Sequence, residues 1–183
     1  DMLKNHDPAI VSKRVDIIFH DLKAELNDMI VSDIGKVDIV LHLAAGSHVD
    51  RSIEYPMEFV MDNVVGTTNI LEFARKHDGL ERFIYFNTDE IFGVAPPGVD
   101  YKERDRYNST NPYSASKASA DLICQAFSIT HKLPIIITRC SNNFGVRQND
   151  EKMIPKAIKN LLNNRKVPIY GDGSNIRDWL HVS

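Results

Sequence analysis

The chain has 183 residues, 43% of them hydrophobic and 26% charged, with a formal net charge of -3. That is enough chain for one large domain, or one domain and part of another, around a sizeable apolar core. The slightly acidic balance, without a long basic run, argues against nucleic acid or an anionic membrane surface as partner, so any anionic ligand must meet local cations. No apolar stretch reaches the length of a membrane span, and Asp1 to Asp7 lack the features of a signal peptide, which points to the cytoplasm. Two cysteines, Cys124 and Cys140, are too few for a disulfide framework and lack zinc-site spacing, so both read as reduced and structural.

Four short runs rich in β-branched and aromatic residues read as buried strands: Val15 to Phe19, Asp38 to Leu43, Arg82 to Phe86 and Pro134 to Thr138. Between the second and third, Val60, Val64, Thr67, Leu71 and Ala74 recur at helical spacing, which predicts a crossover helix over Met57 to Lys76. Asn111 and Pro112 suit the cap and first turn of another helix over Tyr113 to Thr130. Strand and helix alternate, and near-continuous apolar strands imply an α/β fold with a doubly wound parallel sheet, helices on both faces and ligands at the carboxyl ends of the strands. After Cys140 follow a polar segment to Asp150, a helix over Glu151 to Leu162, an apolar run Val167 to Tyr170, a Gly171-Asp172-Gly173-Ser174 turn and a further run Ile176 to Val182. This tail reads as the beginning of a smaller lobe.

Two groups of residues carry chemistry. Tyr113 and Lys117 lie four positions apart at a helix start, so they share one face. A neighbouring cation lowers a phenol pKa that is ordinarily about 10 and lets the tyrosine act as a base. Taken alone, the pair is as much at home on a solvated helix. Thr88-Asp89-Glu90 follows directly on the strand ending at Phe86, at the sheet edge where active sites form. Adjacent carboxylates point to opposite faces of a regular strand, so both serve one site only if the chain turns there, which Gly93 would assist. The bland reading of that pair is a capped, solvated turn.

The order strand, Thr88-Asp89-Glu90, loop, Asn111-Pro112-Tyr113-Ser114-Ala115-Ser116-Lys117 resembles the dTDP-glucose 4,6-dehydratases, extended members of the short-chain dehydrogenases. The likeness extends over His42 to Ser52, Asn63 to Thr67, Ser141 to Gly145, Glu151 to Pro155, Pro168 to Gly171 and Arg177 to Leu180. It implies a partial Rossmann-like NAD-binding domain over residues 1–140, lacking its first strands and glycine loop, and the start of a substrate lobe over 141–183. It also implies a nucleotide-sugar substrate and a homodimer. Tyr113 would be the base at the C4 hydroxyl, tuned by Lys117; Thr88 would bond the reacting oxygen; Glu90 would take the C5 proton; and Asp89 would protonate the departing C6 hydroxyl. Asp21 and Leu22 would border adenine, Leu43, Ala44 and Ala45 would line the dinucleotide, and Asn143 would lie near the nicotinamide, with Tyr113 and Lys117 also touching the cofactor. Substrate would meet Ser47, Thr88, Asn142, Lys152, Met153, Pro168, Ile169, Tyr170 and Arg177, where Arg177 offers a bidentate fork and Lys152 a point charge to a pyrophosphate.

His48, Asp50 and Arg51 read as structural, and no second histidine at ligand spacing supports a metal site. Gly46, Asn87, Phe92, Phe144 and Val146 depart from the family's usual residues without removing a catalytic group. A glycine-rich phosphate loop and the acidic residue for the adenosine ribose are absent from the sequence. They are expected upstream in a longer chain; the alternatives are a catalytically silent binding or assembly module and, among enzymes, a nucleotide-sugar epimerase or decarboxylase.

Overall fold

The computed structural model describes residues 14–169 and 171–183, which fall into two compact units, Ile17–Arg139 and a second containing Cys140–Ser183.

The larger unit runs α1 (Asp28–Ile34), β1 (Ile39–His42), α2 (Val49–Glu54) and α3 (Pro56–Phe59). A π-helical segment (Val60–Val65), α4 (Gly66–Lys76), β2 (Arg82–Thr88), a 3-10 turn (Asp89–Phe92), α5 (Pro112–Thr130) and β3 (Ile135–Cys140) follow. The sheet order is β1-β2-β3, with β1 and β2 parallel and Ile39 facing Arg82 in register. A parallel pair cannot be joined by a tight turn, and α2 to α4 supply the crossover. Leu71 and Ala74 of α4, Ala120 and Cys124 of α5, and Phe83 and Tyr85 of β2 form the buried core. Burial of the Cys124 thiol pushes its pKa up to about 12, so the sulfur behaves as a small apolar group.

Three sequence expectations change. The strands are not buried continuously: β2 buries Phe83, Tyr85 and Asn87 and leaves the alternate residues partly exposed, while Leu41 and Ile136 are open on the other strands. Val15 to Phe19 forms no strand; among the described residues nothing pairs with it, and a strand needs a partner for its backbone groups. The helix over Met57 to Lys76 contains the π-helical segment, whose extra residue per turn rotates the apolar stripe. Val60 is therefore exposed, and Phe59 and Asn63 are buried.

In the smaller unit β4 (Asn142–Phe144) pairs in parallel with β5 (Trp179–His181), and α6 spans Met153–Leu162. The polar start of this unit thus contains a strand. The apolar run at 167–169 has no regular structure, Tyr170 lies outside the described residues, and of Ile176 to Val182 only Trp179–His181 forms a strand. Among the described residues no helix is long and apolar enough to cross a membrane.

Candidate active site

The helix carrying Tyr113 and Lys117 begins where the sequence places it. Asn111 accepts from the Ser114 amide at 2.9 Å, and the Ser114 hydroxyl accepts from the Asn111 amide at 3.3 Å, while Pro112 occupies the first turn, where its missing N–H costs nothing. The Tyr113 amide, one of the donors that a helix start leaves without a helical partner, donates to Ser52 Oγ of α2 at 3.1 Å. The half-buried Tyr113 ring stands edge-on to Phe59, with centroids 6.4 Å apart.

Lys117 is only 3% exposed. Its Nζ donates to the Phe86 carbonyl at 2.8 Å and lies 4.3 Å from the centroid of the Tyr85 ring, so carbonyl dipole and aromatic face both offset its desolvation. Beneath that ring, His42 stacks on Tyr85 at 5.6 Å and meets Thr67 Oγ1 at 2.9 Å through Nε2. Burial, aided by the charge of Lys117, lowers the His42 pKa to about 4. The imidazole is neutral beside the ammonium at ordinary pH.

Strand β2 ends at Thr88 and the chain turns at once into the 3-10 segment. The Thr88 hydroxyl accepts from the Glu90 amide and donates to Asp89 Oδ1, each at 3.3 Å. Asp89 and Glu90 therefore occupy a turn, and the two-face objection to a regular strand does not apply. Gly93, at φ 77°, closes the turn; a Cβ there would lie 2.3 Å from the Asn108 carbonyl oxygen. Helix α5 packs on both β2 and this turn. Thr88, Asp89, Glu90, Tyr113 and Lys117 thus belong to one small region at the carboxyl end of the central strand.

Leu43, Ala44 and Ala45 follow β1 at the same sheet edge and are exposed, as is Ser47. Leu22 and Asp21 sit in a turn held to the crossover: the Leu22 carbonyl accepts from Asn69 at 2.7 Å, and Lys23 joins Asp21 to Asp62. The Lys23 amide hydrogen bond holds the Asp21 carboxyl below its usual range. In the smaller unit Asn142 is in β4, and Asn143 donates to Cys140 Sγ at 3.2 Å. Lys152 occupies the N-cap position of α6 and pairs with Glu151, and Met153, Pro168 and Ile169 are exposed. Arg177 is also exposed and donates to the Ile176 carbonyl at 2.8 Å.

Sequence reasoning gave no role to Asn63, the buried residue of the π segment. Its amide oxygen accepts from the Gly46 N–H at 2.7 Å, and its nitrogen donates to the Gly46 carbonyl and Ser116 Oγ, which joins the loop after β1 to α5. An Asn four residues before Thr67 on an otherwise apolar stripe was the available signal. His48 caps α2 by accepting from the Arg51 amide, and Arg51 pairs with Glu58. Among the described residues no group of three His, Cys, Asp or Glu could hold a metal.

The chain is similar to several known proteins. The dTDP-glucose 4,6-dehydratase of Streptomyces antibioticus is 44% identical over 176 residues, covering 96% of this chain and 50% of that protein. A crystal structure of a double mutant of the dTDP-glucose 4,6-dehydratase of Streptomyces venezuelae, with NAD bound, superposes with a TM-score of 0.86 at 36% identity over 94% of this chain and 53% of that one. The UDP-glucuronic acid 4-epimerase of Bacillus cereus, in complex with UDP-glucuronic acid and NAD, has a TM-score of 0.76 at 28% identity over 92% and 50%. The chain spans about half the length of the curated relatives it matches. Residues 2–183 match the family described as NAD dependent epimerase/dehydratase. With a parallel-sheet α/β Rossmann-like fold and these relatives, the chain belongs to the NAD-dependent epimerase/dehydratase family.

Proposed function

We propose that the full-length protein dehydrates a nucleoside-diphosphate hexose, dTDP-glucose above all, to its 4-keto-6-deoxy derivative. The observation that carries this reading is the Thr88-Asp89-Glu90 turn packed against the helix of Tyr113 and Lys117. An epimerase needs a base and a redox partner at C4, whereas elimination of water needs a further base and acid, and this turn contains two carboxylates.

In the proposed reaction Tyr113 accepts the proton of the C4 hydroxyl, with Lys117 stabilising the phenolate and the Thr88 hydroxyl bonded to the same oxygen. The ketone at C4 acidifies C5–H. Glu90 takes that proton, and Asp89 protonates the C6 hydroxyl, which departs as water and leaves a C5–C6 double bond. Bound NAD would supply reversible two-electron chemistry between C4 and C6, and Glu90 would return its proton to C5 as C6 is reduced, so that no net electrons are consumed. The exposed residues Leu43, Ala44 and Ala45 follow β1, and the two alanines suit the close approach of a flat dinucleotide, with Asp21 and Leu22 at its adenine end and Asn143 at its nicotinamide. They fit that group only in part, since no glycine-rich phosphate cradle is in the sequence.

Substrate is assigned to Ser47, Thr88, Asn142, Lys152 and Met153, and to Pro168, Ile169, Tyr170 and Arg177. A cytoplasmic homodimer completes the proposal; exposed Met57, Met61 and Leu122 on the crossover and α5 favour an apolar contact. Full-length protein given NAD and dTDP-glucose or UDP-glucose is expected to yield the alkali-induced ultraviolet absorbance of a 4-keto-6-deoxy sugar nucleotide. Glu90→Gln is expected to lower this yield by about 100-fold or more, within the range for loss of a general base. A 4-epimer in place of that product would assign the protein to the epimerases.

A further inference from the structure

The larger unit also buries a charged cluster outside these assignments. Asp121 of α5 is fully buried and accepts from Arg139 Nε at 3.0 Å and Nη2 at 2.9 Å, from the Tyr107 hydroxyl at 2.8 Å and from Gln125 at 2.7 Å. Its remaining partner is Asn87, whose Nδ2 donates to Oδ2 at 2.6 Å. The Arg139 fork already compensates the charge on Asp121, so the Asn87 bond does more than neutralise it.

Asn87 immediately precedes Thr88. Lys117 lies one helical turn before Asp121 and grips the carbonyl of Phe86, the residue immediately before Asn87. Successive turns of one helix thus hold successive residues of one strand, one through the backbone and one through a side chain. The sheet already holds β2 on both sides, and these two attachments add a hold from the helix at the last residues before the turn. We infer that Asp121 is a positioning residue which, through Asn87, forms the second point of a clamp that aims the Thr88–Glu90 turn relative to Tyr113. The catalytic consequence rests on the dehydratase reading above; the mechanical one does not.

Asp121→Asn strands the Arg139 charge in the interior, so Asn87→Ala in the full-length protein is the more discriminating change. It removes the second point and leaves Lys117, Asp121 and Arg139 in place. Amides of residues 89–92 are expected to exchange with solvent about tenfold faster, while Ser116 to Cys124 keep their protection. Unchanged exchange at 89–92 overturns the clamp whatever the substrate. With dTDP-glucose, kcat is expected to fall about 10- to 100-fold, with KM held within about twofold, because elimination depends on the aim of the turn. Deuterium at C5 should then slow turnover more than it does in the unaltered protein. A smaller fraction of correctly folded protein would lower kcat and leave the isotope effect where it was, and that result overturns the positioning role. If the unaltered full-length protein makes no 4-keto-6-deoxy sugar, the dehydratase reading fails and the exchange measurement alone decides the clamp.

Discussion

His42 offers a test in which the sign and size follow from burial. Its imidazole is 4% exposed, and burial, with the charge of Lys117, lowers its pKa from 6.5 to about 4. Above pH 6.5 the residue is neutral in both folded and unfolded chains and contributes no pH dependence. As pH falls below 6.5 the unfolded chain takes up a proton that the folded one refuses, so stability is lost until the folded residue itself titrates near pH 4. At one pKa unit per 1.36 kcal/mol, the loss amounts to about 2 kcal/mol at pH 5 and approaches ~3.4 kcal/mol below pH 4. Denaturant unfolding of the full-length protein at pH 7.5 and pH 5, compared with His42→Gln, isolates this contribution from the carboxylates that titrate in both proteins. Stability should fall by about 2 kcal/mol less in the variant over that interval. Equal pH dependence in the two proteins, or a His42 resonance titrating at 6 or above, would refute the assignment.

Gly93→Ala combines a left-handed backbone at φ 77° with a Cβ 2.3 Å from the Asn108 carbonyl oxygen, so it should lose more than the ~1 kcal/mol of ordinary backbone strain and disturb the turn. Unfolding free energy within ~0.5 kcal/mol of the unaltered protein would show that this approach is relieved at little cost. Asn111→Ala removes the side-chain cap of α5 and should cost about 1 kcal/mol, measured by the same denaturant midpoint. An Asn111→Ser variant should restore most of it, since serine accepts the same amide.

The elements legible in the sequence were those whose signal is local. Asn111 and Pro112 announce α5 because capping depends on residues next to the helix, and β2 is announced by its own β-branched and aromatic run. The turn at Asp89 was also legible, from the conflict between two adjacent carboxylates and strand geometry, with Gly93 as the means of resolving it. Val15 to Phe19 was misleading for the opposite reason: an extended apolar run becomes a strand only with a neighbour, and neighbours are not local. The π segment escaped because one added residue leaves the composition unchanged while rotating Asn63 inward and Val60 outward. The Asp121 cluster joins residues from β2, the following loop, α5 and β3, a conjunction that spacing along the chain cannot express.

Two buried polar groups near Lys117, His42 and Asp121, bear on how a lysine can be carried at 3% exposure next to a proposed phenolic base. Had His42 been protonated, two cations would lie against the Tyr85 ring, and each charge would penalise the other in a poorly solvated setting. Desolvation keeps the imidazole neutral, and Thr67 accommodates it without supplying charge. Asp121 is the next turn's carboxylate on the same helix, and a free anion there would draw the ammonium toward itself. Arg139 engages that carboxylate with two nitrogens and Tyr107 and Gln125 with one each, while Lys117 remains on the Phe86 carbonyl. The Phe86 carbonyl and the Tyr85 ring thus both hold the ammonium, which lies one turn after Tyr113 along the helix.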